Sequence, residues 1–271
     1  MRYGVISDVH GNLHALLAAI EVLEHAGVER YVCLGDLVGY GPFPNECARR
    51  VAELGALCVA GNHDLIAVDR LDPAGIGALA RTTLAWTRTV LDPDVRAQLA
   101  GLPLTVALEP RIVLTHGSLD DPRRYIRRDE EAAEQLERLA EGYEDARLLL
   151  LGHTHIQKAY AERTGAVTGR RRVLALPRDE RVLLNPGSVG QSRETSPHGR
   201  VLVLDTDAWE VRWHAVRYDR RACRRALRER GLPERSYHRN PNAPRRLARR
   251  AGGRARAAVR RARQPPHGGA P

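Results

Sequence analysis

Five apolar runs in this chain end in the same kinds of residue. YGVIS runs into Asp8-Val9-His10, RYVCLG into Asp36, ALCVAG into Asn62-His63-Asp64, RIVLT into His116, and RLLLLG into His153-Thr154-His155. Asp, Asn and His supply oxygen and nitrogen donors. Each set stands just past the carboxyl end of a strand-like run, the edge at which open α/β sheets bind ligands. One polar strand exit is ordinary surface chemistry; five of the same character point to a site. Residues two apart on an extended segment face the same side, so Asp8 with His10, and His153 with His155, are expected to converge. Carboxylate, amide and imidazole donors without thiolate suit divalent transition metals: Mn first, with Fe, Zn or Ni as alternatives. The donors are too many for one ion that keeps an open position. Two ions roughly 3.5–4 Å apart sharing a carboxylate account for them, and Asp36 is the expected bridge.

The elements that must position these donors follow from periodicity. Strands are expected at 3–7, 30–34, 56–60, 111–115 and 146–151, each an apolar run with the donors at its end. Helical spacing marks LHALLAAIEVLEHAG, stopping at Gly27, and PNECARRVAEL, opened by Pro44. Residues 65–110 read as mainly helical, broken at Pro73, Pro93 and Pro103, and DEEAAEQLERLAEG as a charged amphipathic helix. QKAYAE, RRVLAL, RVLLN, RVLVLD and WEVRWHAV are shorter strands suited to an antiparallel sheet, followed by a helix over 220–231. Strands alternating with helices imply an α/β protein with a parallel or mixed sheet, and the β-rich second half implies a second sheet packed on the first.

Composition bounds the rest. The chain has 271 residues, of which 43% are hydrophobic and only 4% aromatic, so a sizeable and mainly aliphatic core is expected. No signal-peptide segment opens it and no apolar run approaches the roughly 20 residues that span a bilayer. The expectation is a cytoplasmic protein without a membrane partner. Cys33, Cys47, Cys58 and Cys223 form no C-x-x-C pair and read as buried reduced thiols. The net charge of +10 is uneven: residues 220–271 hold seventeen arginines and two acids, +15, which leaves −5 for the rest. Two domains are therefore expected, a folded body over 1–231 and an Arg-rich disordered tail over 232–271. The tail's RRLARR and VRRAR clusters could grip nucleic acid through its phosphates. Removing residues 234–271 is expected to leave turnover of a small diester within about threefold.

D-V-H, G-D-L-V-G-Y-G-P, G-N-H-D, T-H-G-S and G-H-T-H, in that order, resemble the five motifs of the calcineurin-like metallophosphoesterases, and GDLVGYGPFPNEC with NPGSVGQ resembles their small bacterial phosphodiesterase-like branch. The resemblance runs to about residue 217. It implies a two-sheet β-sandwich flanked by helices, in four α/β/β/α layers. It further implies that Asp8, His10, Asp36 and His155 hold one metal and Asp36, Asn62, His116 and His153 the other. His63 would face the substrate phosphoryl group, with Asp64 orienting its ring. Asn185 in the NPGS turn, Arg193 and Arg123 are candidate substrate contacts. The implied activity is dimetal-dependent hydrolysis of phosphodiester or nucleotide bonds by a metal-activated hydroxide. A nuclease or nucleotide phosphomonoesterase is the alternative, and a nucleic-acid-binding or scaffold protein a more distant one. GDLVGYGP departs from the GDxVDRG of the superfamily's protein phosphatases: it lacks the Arg and carries Tyr40, which argues against a phosphoprotein phosphatase.

Overall fold

The computed structural model describes residues 1–109, 111–166 and 173–241. Three parallel strands come first: β1 (Arg2–Ile6), β2 (Arg30–Cys33) and β3 (Leu57–Cys58), linked by helices α1 (Leu13–His25) and α2 (Pro44–Glu53). The Asn12 side chain accepts from Ala15 N and starts α1, and Pro44, lacking an N–H that the first turn would leave unpaired, starts α2. Helices α3 (Asn62–Ala67), α4 (Ala78–Val90) and α5 (Pro93–Ala100) then lead to a hairpin, β4 (Thr105–Leu108) with β5 (Ile112–Thr115). Helix α6 (Asp129–Gly142) crosses over to β6 (Leu148–Leu150), parallel to β5. There follow β7 (Lys158–Ala161), β8 (Gly165–Ala166), β9 (Val173–Ala175), β10 (Val182–Asn185), β11 (Gly199–Asp205), β12 (Glu210–Val216) and helix α7 (Arg220–Glu229), capped by Asp219.

The strands form two mixed six-stranded sheets, β3-β2-β1-β11-β12-β9 and β4-β5-β6-β10-β7-β8. Side-chain alternation sorts their residues into layers. Tyr3, Val5, Ile112, Leu114, Leu148, Leu150, Val182, Leu184, Leu202 and Leu204 meet in the core between the sheets. The alternate residues point outward. Ile6, Val201 and Val203 pack under α1, α2, α4 and α5, and Val113, Leu149 and Leu183 pack under α6. The leucine run 148–151 is continuous because its strand is covered on both faces.

The architecture is the expected four-layer sandwich, with three differences of detail. Segment 65–110 is not wholly helical: Thr105–Leu108 pairs with β5. The later strands do not build a sheet of their own. Instead, β11 joins β1 and β10 joins β6, so both halves of the chain contribute to both sheets. The folded body also does not end at 231. Leu232 is buried with Cys223 and Leu227, Glu234–Tyr237 forms a 3-10 turn, and His238 bridges to Ser192. Residues 242–271, where most of the tail lies, fall outside the described residues. Among the described residues all four cysteines are free and buried, and no helix is long and apolar enough to cross a membrane.

Candidate metal centre

The donor-bearing loops meet at the carboxyl ends of β1, β2, β5 and β6, with the N-terminus of α3 between them. Their backbones lock together: Asp8 N donates to Gly35 O (3.0 Å), His10 N to Asp36 O (2.9 Å) and Gly152 N to His116 O (2.9 Å). The donors do not converge by strand alternation. Asp8, His10, Asp36, His153 and His155 all have left-handed backbone, with φ of 53°, 49°, 56°, 61° and 60°. Residues carrying a Cβ occupy this region at roughly 1–2 kcal/mol each. Five such residues at one spot mark a place where the fold imposes conformation for chemistry.

The protonation pattern shows what the spot suits. His10 Nδ1 donates to Val38 O (3.0 Å), His155 Nδ1 to Gln191 O (2.5 Å) and His116 Nδ1 to Leu34 O (2.6 Å). A carbonyl only accepts, so each neutral ring carries its proton on Nδ1 and a lone pair on Nε2. Those lone pairs face one another and the carboxylates. His10 Nε2 lies 3.2 Å from His155 Nε2, and His155 Nε2 lies 3.2 Å from Asp8 Oδ1. Asp36 Oδ2 is 3.5 Å from His10 Nε2 and 3.3 Å from His116 Nε2. His153 is turned the other way: its Nε2 donates to Arg123 O (2.9 Å), leaving Nδ1 for the site. Acceptors crowded together with few hydrogens between them call for a cation. Asp8 Oδ1 and Asn62 Oδ1 are correspondingly buried without a hydrogen-bond partner.

Two groups of ligand atoms result, Asp8-His10-Asp36-His155 and Asp36-His116-His153, the atoms of each lying within 4.8 Å of one another. Asp36 belongs to both. Its Oδ1 accepts from His63 N (2.8 Å), which leaves Oδ2 as the shared atom. Asp8 is divided in the same manner, with Oδ2 accepting from Ser7 Oγ (2.6 Å) and His153 N (3.2 Å). The donor set thus fits two divalent cations bridged by one carboxylate, and Asn62 Oδ1 is suited to complete the second group.

Electrostatics agree with that reading. Burial drives the His153 imidazole down to about 3 and His63 to about 4, and lowers His10 and His155 as well, so these rings are neutral near pH 7. Burial opposes the charge on Asp36 and Asp8, but the surrounding imidazoles outweigh it and hold both below the ordinary carboxylate range. His116 stands apart: burial lowers it, yet Asp36 and Asp8 lift it to about 9, so without a cation it serves as the positive partner of Asp36.

His63 is 4% exposed and packs edge-on to His10 and beside Tyr40, ring centroids 4.7 Å away in both cases. The expected support from Asp64 is absent. Asp64 Oδ1 accepts from Val38 N (3.2 Å) and Oδ2 from Gly61 N (3.0 Å), so this carboxylate ties the second and third donor loops together and does not reach the imidazole. Gly39 holds the ring instead. With φ at +83°, it passes so close that an added Cβ would lie 2.2 Å from His63 Nδ1.

The candidate substrate contacts separate. Asn185 is 1% exposed and uses its polar atoms on protein: Nδ2 donates to Gly152 O (2.6 Å) and Thr154 Oγ1 (3.1 Å), and Oδ1 accepts from Gly187 N (2.8 Å). It shapes the His153–His155 turn and does not face a substrate. Arg123 contributes its carbonyl to His153, while its guanidinium turns to Asp121 (3.3 Å) near solvent. Arg193 does enter the site. Its Nη1 donates to Tyr125 OH (3.2 Å) and His153 O (3.4 Å) and its Nε to Gln191 Oε1 (3.4 Å); among the described residues no carboxylate pairs with it. Tyr125 stacks on the His153 ring at 3.9 Å and carries the Arg127 guanidinium 4.1 Å from its own ring centre. Sequence reasoning missed Tyr125 and Gln191. Neither has a strand-end position, and a Gln that acts through its backbone carbonyl leaves no signal of residue type.

Comparison with known proteins gives a consistent picture. Residues 1–208 match the family model for the calcineurin-like phosphoesterase superfamily domain. An uncharacterised protein of Methanocaldococcus jannaschii is 30% identical over 241 residues, covering 85% of this chain and 93% of its own. A metallophosphoesterase from Sphaerobacter thermophilus superposes with a TM-score of 0.76 at 34% identity, covering 88% of this chain and 98% of that one. A hypothetical protein from Pyrococcus horikoshii shares the fold with a TM-score of 0.71 at 22% identity, over 88% and 98% of the two chains.

Proposed function

Because the chain belongs to the calcineurin-like phosphoesterase superfamily, we propose that it hydrolyses phosphodiesters, nucleotide-derived ones included, at a dinuclear metal centre. The observation that carries this reading is the convergence of Asp8, His10, Asp36, His116 and His155 acceptor atoms around a carboxylate common to two ligand groups. Asp8, His10, Asp36 and His155 would hold one cation, and Asp36, Asn62, His116 and His153 the other, with Mn²⁺ the first choice and Fe, Zn or Ni compatible. When bound, such cations neutralise phosphoryl charge and lower the pKa of a coordinated water toward 7, supplying the nucleophile.

The protein's own residues do the rest. Backbone carbonyls of Val38, Leu34, Gln191 and Arg123 fix each ligand imidazole in one tautomer, so the lone pairs are aimed before any ion arrives. His63, neutral because burial holds it near 4, would enter as a hydrogen-bond donor to the departing oxygen. Arg193, without a carboxylate of its own, would hold a non-bridging phosphoryl oxygen. A diester phosphoryl group carries one negative charge and a monoester nearly two. An arginine beside the centre with no carboxylate partner among the described residues, in a chain that lacks the Arg of the GDxVDRG motif, favours the diester.

The test is turnover of bis-p-nitrophenyl phosphate against p-nitrophenyl phosphate by the full chain with defined Mn²⁺, and Asp36→Asn as control. A preference for the diester that Asp36→Asn abolishes supports the reading. A preference for the monoester would replace it with a nucleotide phosphomonoesterase.

A further inference from the structure

We propose that the segment Leu232–Arg239, which follows the family domain and the last helix, is a working part of this site: it positions the Gln191–Arg193 turn, and through that turn both a metal ligand and the substrate-binding arginine. The inference rests on the function proposed above for Arg193, but its first half concerns only His155.

The Gln191–Arg193 turn lies between the metal centre and the end of the described chain. On its inner side, Gln191 O accepts the Nδ1 proton of His155 at 2.5 Å, and this contact sets which nitrogen His155 presents to a cation. Arg193 leaves the same turn toward Tyr125 and His153. On its outer side, the returning segment grips it at two points and the following residue, Glu194, at a third. Gln191 Nε2 donates to Ser236 O (2.9 Å), Arg239 N to Ser192 O (3.0 Å), and His238 Nε2 to Glu194 O (3.0 Å). Ser192 and His238 pair as a short parallel bridge. Gln191 is the hinge of the arrangement: 1% exposed, it joins Ser236 through Nε2 and Arg193 through Oε1 (3.4 Å), while its carbonyl holds His155.

The segment is itself anchored, which distinguishes it from a loose end lying on the surface. Leu232 is 5% exposed in a cluster with Cys223 and Leu227 of α7, flanked by Trp86, Tyr218 and Tyr237. Glu234 pairs with Arg224 (2.6 Å) and Arg228 (3.0 Å) of the same helix. The helix is tied back to the first donor loop, since Asn12 Nδ2 donates both to Tyr218 OH (3.3 Å) and to Gly190 O (2.9 Å), one residue before Gln191. The family-model match ends at 208, and the chain beyond it returns to hold this turn from outside. On this proposal, removing residues 234–271 should not be neutral, whereas a cut after Pro241 leaves every contact named here in place.

The experiment compares four proteins: the full chain, the chain ended at Pro241, the chain ended at Leu232, and full-length Gln191→Leu. Mn²⁺ binding is followed by calorimetry and kcat and KM with bis-p-nitrophenyl phosphate. The chain ended at Pro241 should match the full chain within about threefold. The chain ended at Leu232 and Gln191→Leu should each weaken one Mn²⁺ site about fivefold or more, and raise KM about tenfold with a smaller change in kcat. Combining Gln191→Leu with the Leu232 end should cost less than the sum of the two, because both remove the same coupling. If the Leu232 end does not fold, Gln191→Leu in the full chain carries the test alone. Unchanged Mn²⁺ affinity and unchanged KM in Gln191→Leu, with a merely lower melting temperature, would overturn the proposal. A full chain that binds two Mn²⁺ ions but turns over no phosphoester would instead defeat the proposed function. The Mn²⁺ measurement would still decide whether the segment positions His155.

Discussion

Gly39→Ala bears most directly on His63, because the three heavy atoms nearest an added Cβ all belong to its imidazole. An alanine Cβ would lie 2.2 Å from His63 Nδ1 and 3.2 Å from Cγ. Carbon and nitrogen in ordinary contact sit at about 3.5 Å, so the ring must retreat by roughly 1 Å, a displacement that can cost about 100-fold in rate at a positioned catalytic group. Alanine at φ +83° also costs roughly 1–2 kcal/mol of folding stability, or a few degrees in Tm at about 2–4 °C per kcal/mol for a domain of this size. The expected protein is folded, slightly less stable and fully metallated, with kcat down about 100-fold on a diester with an alkyl leaving group. The loss should be much smaller with p-nitrophenolate, which departs without help. Elemental analysis and steady-state kinetics on both substrates provide the readout, with His63→Ala and the double variant alongside. The double variant should be no slower than His63→Ala, since a misplaced ring and a missing ring fail alike. The reasoning is refuted if Gly39→Ala turns over the alkyl diester within about threefold of the parent, or if it loses metal as Asp36→Asn does.

Asp36→Asn should depress binding at both metal sites, because the Asp36 carboxylate belongs to both ligand groups, whereas His63→Ala should keep full metal content; elemental analysis of the two purified variants checks this. Arg193→Ala should raise KM for the diester about tenfold or more and Arg193→Lys recover only part of it, since one ammonium cannot keep both the Nη1 contacts to Tyr125 and His153 and the Nε contact to Gln191; Arg123→Ala, whose guanidinium points to Asp121, should change KM little in the same assay. In metal-free protein His116 sits at about 9 against 6.5 as its ordinary value. Its contribution to stability is therefore fully present below about pH 6.5 and lost as pH rises through 9. Mn²⁺ must displace that proton, so affinity should climb with pH up to about 9, and calorimetry in two buffers of different ionisation enthalpy should register proton release. Exhaustive chelation should lower Tm, by exposing the cluster of unpartnered acceptors to mutual repulsion, and Mn²⁺ should restore it.

Much of this site could be read from residue types alone. Asp8, His10, Asp36, Asn62, His116, His153 and His155 stand immediately after apolar strands, and a strand buried on both faces has a strong signature. The geometry that joins them was not legible. Asp8 and His10 were expected to converge by strand alternation, but both are left-handed; Asp and His are enriched in that region yet enter it too seldom for residue type alone to assign it. Asp64 sits beside His63 in sequence but caps Val38 and Gly61 in space, because the first turn of α3 carries neighbouring side chains in different directions. The strand Thr105–Leu108 was hidden by its short length and mixed composition; its pairing with Ile112–Thr115 comes from tertiary context. Gln191 works through a carbonyl that every residue possesses, so its part in the site could be found only in coordinates.

The placing of β10 and β11 has a consequence for how a cell must make this protein. Each is a central strand, β10 between β6 and β7 and β11 between β1 and β12. The residues joining them include Gln191 and Arg193. On the ribosome, Asp8 and His10 emerge roughly 175 residues before β10, so for most of synthesis β1 has an open edge and the donor loops lack their last partner. Strand β10 then completes its sheet and β11 covers the edge of β1, with β12 still to follow, and the β10–β11 connection reaches the ligands at nearly the same moment. Nascent chains halted before about residue 205 should be aggregation-prone and poor at retaining metal, and both properties should improve stepwise as β12 and then the Leu232–Arg239 segment emerge. On the proposed function, metal retention by nascent chains should therefore follow the arrival of β10 and β11 and not precede it.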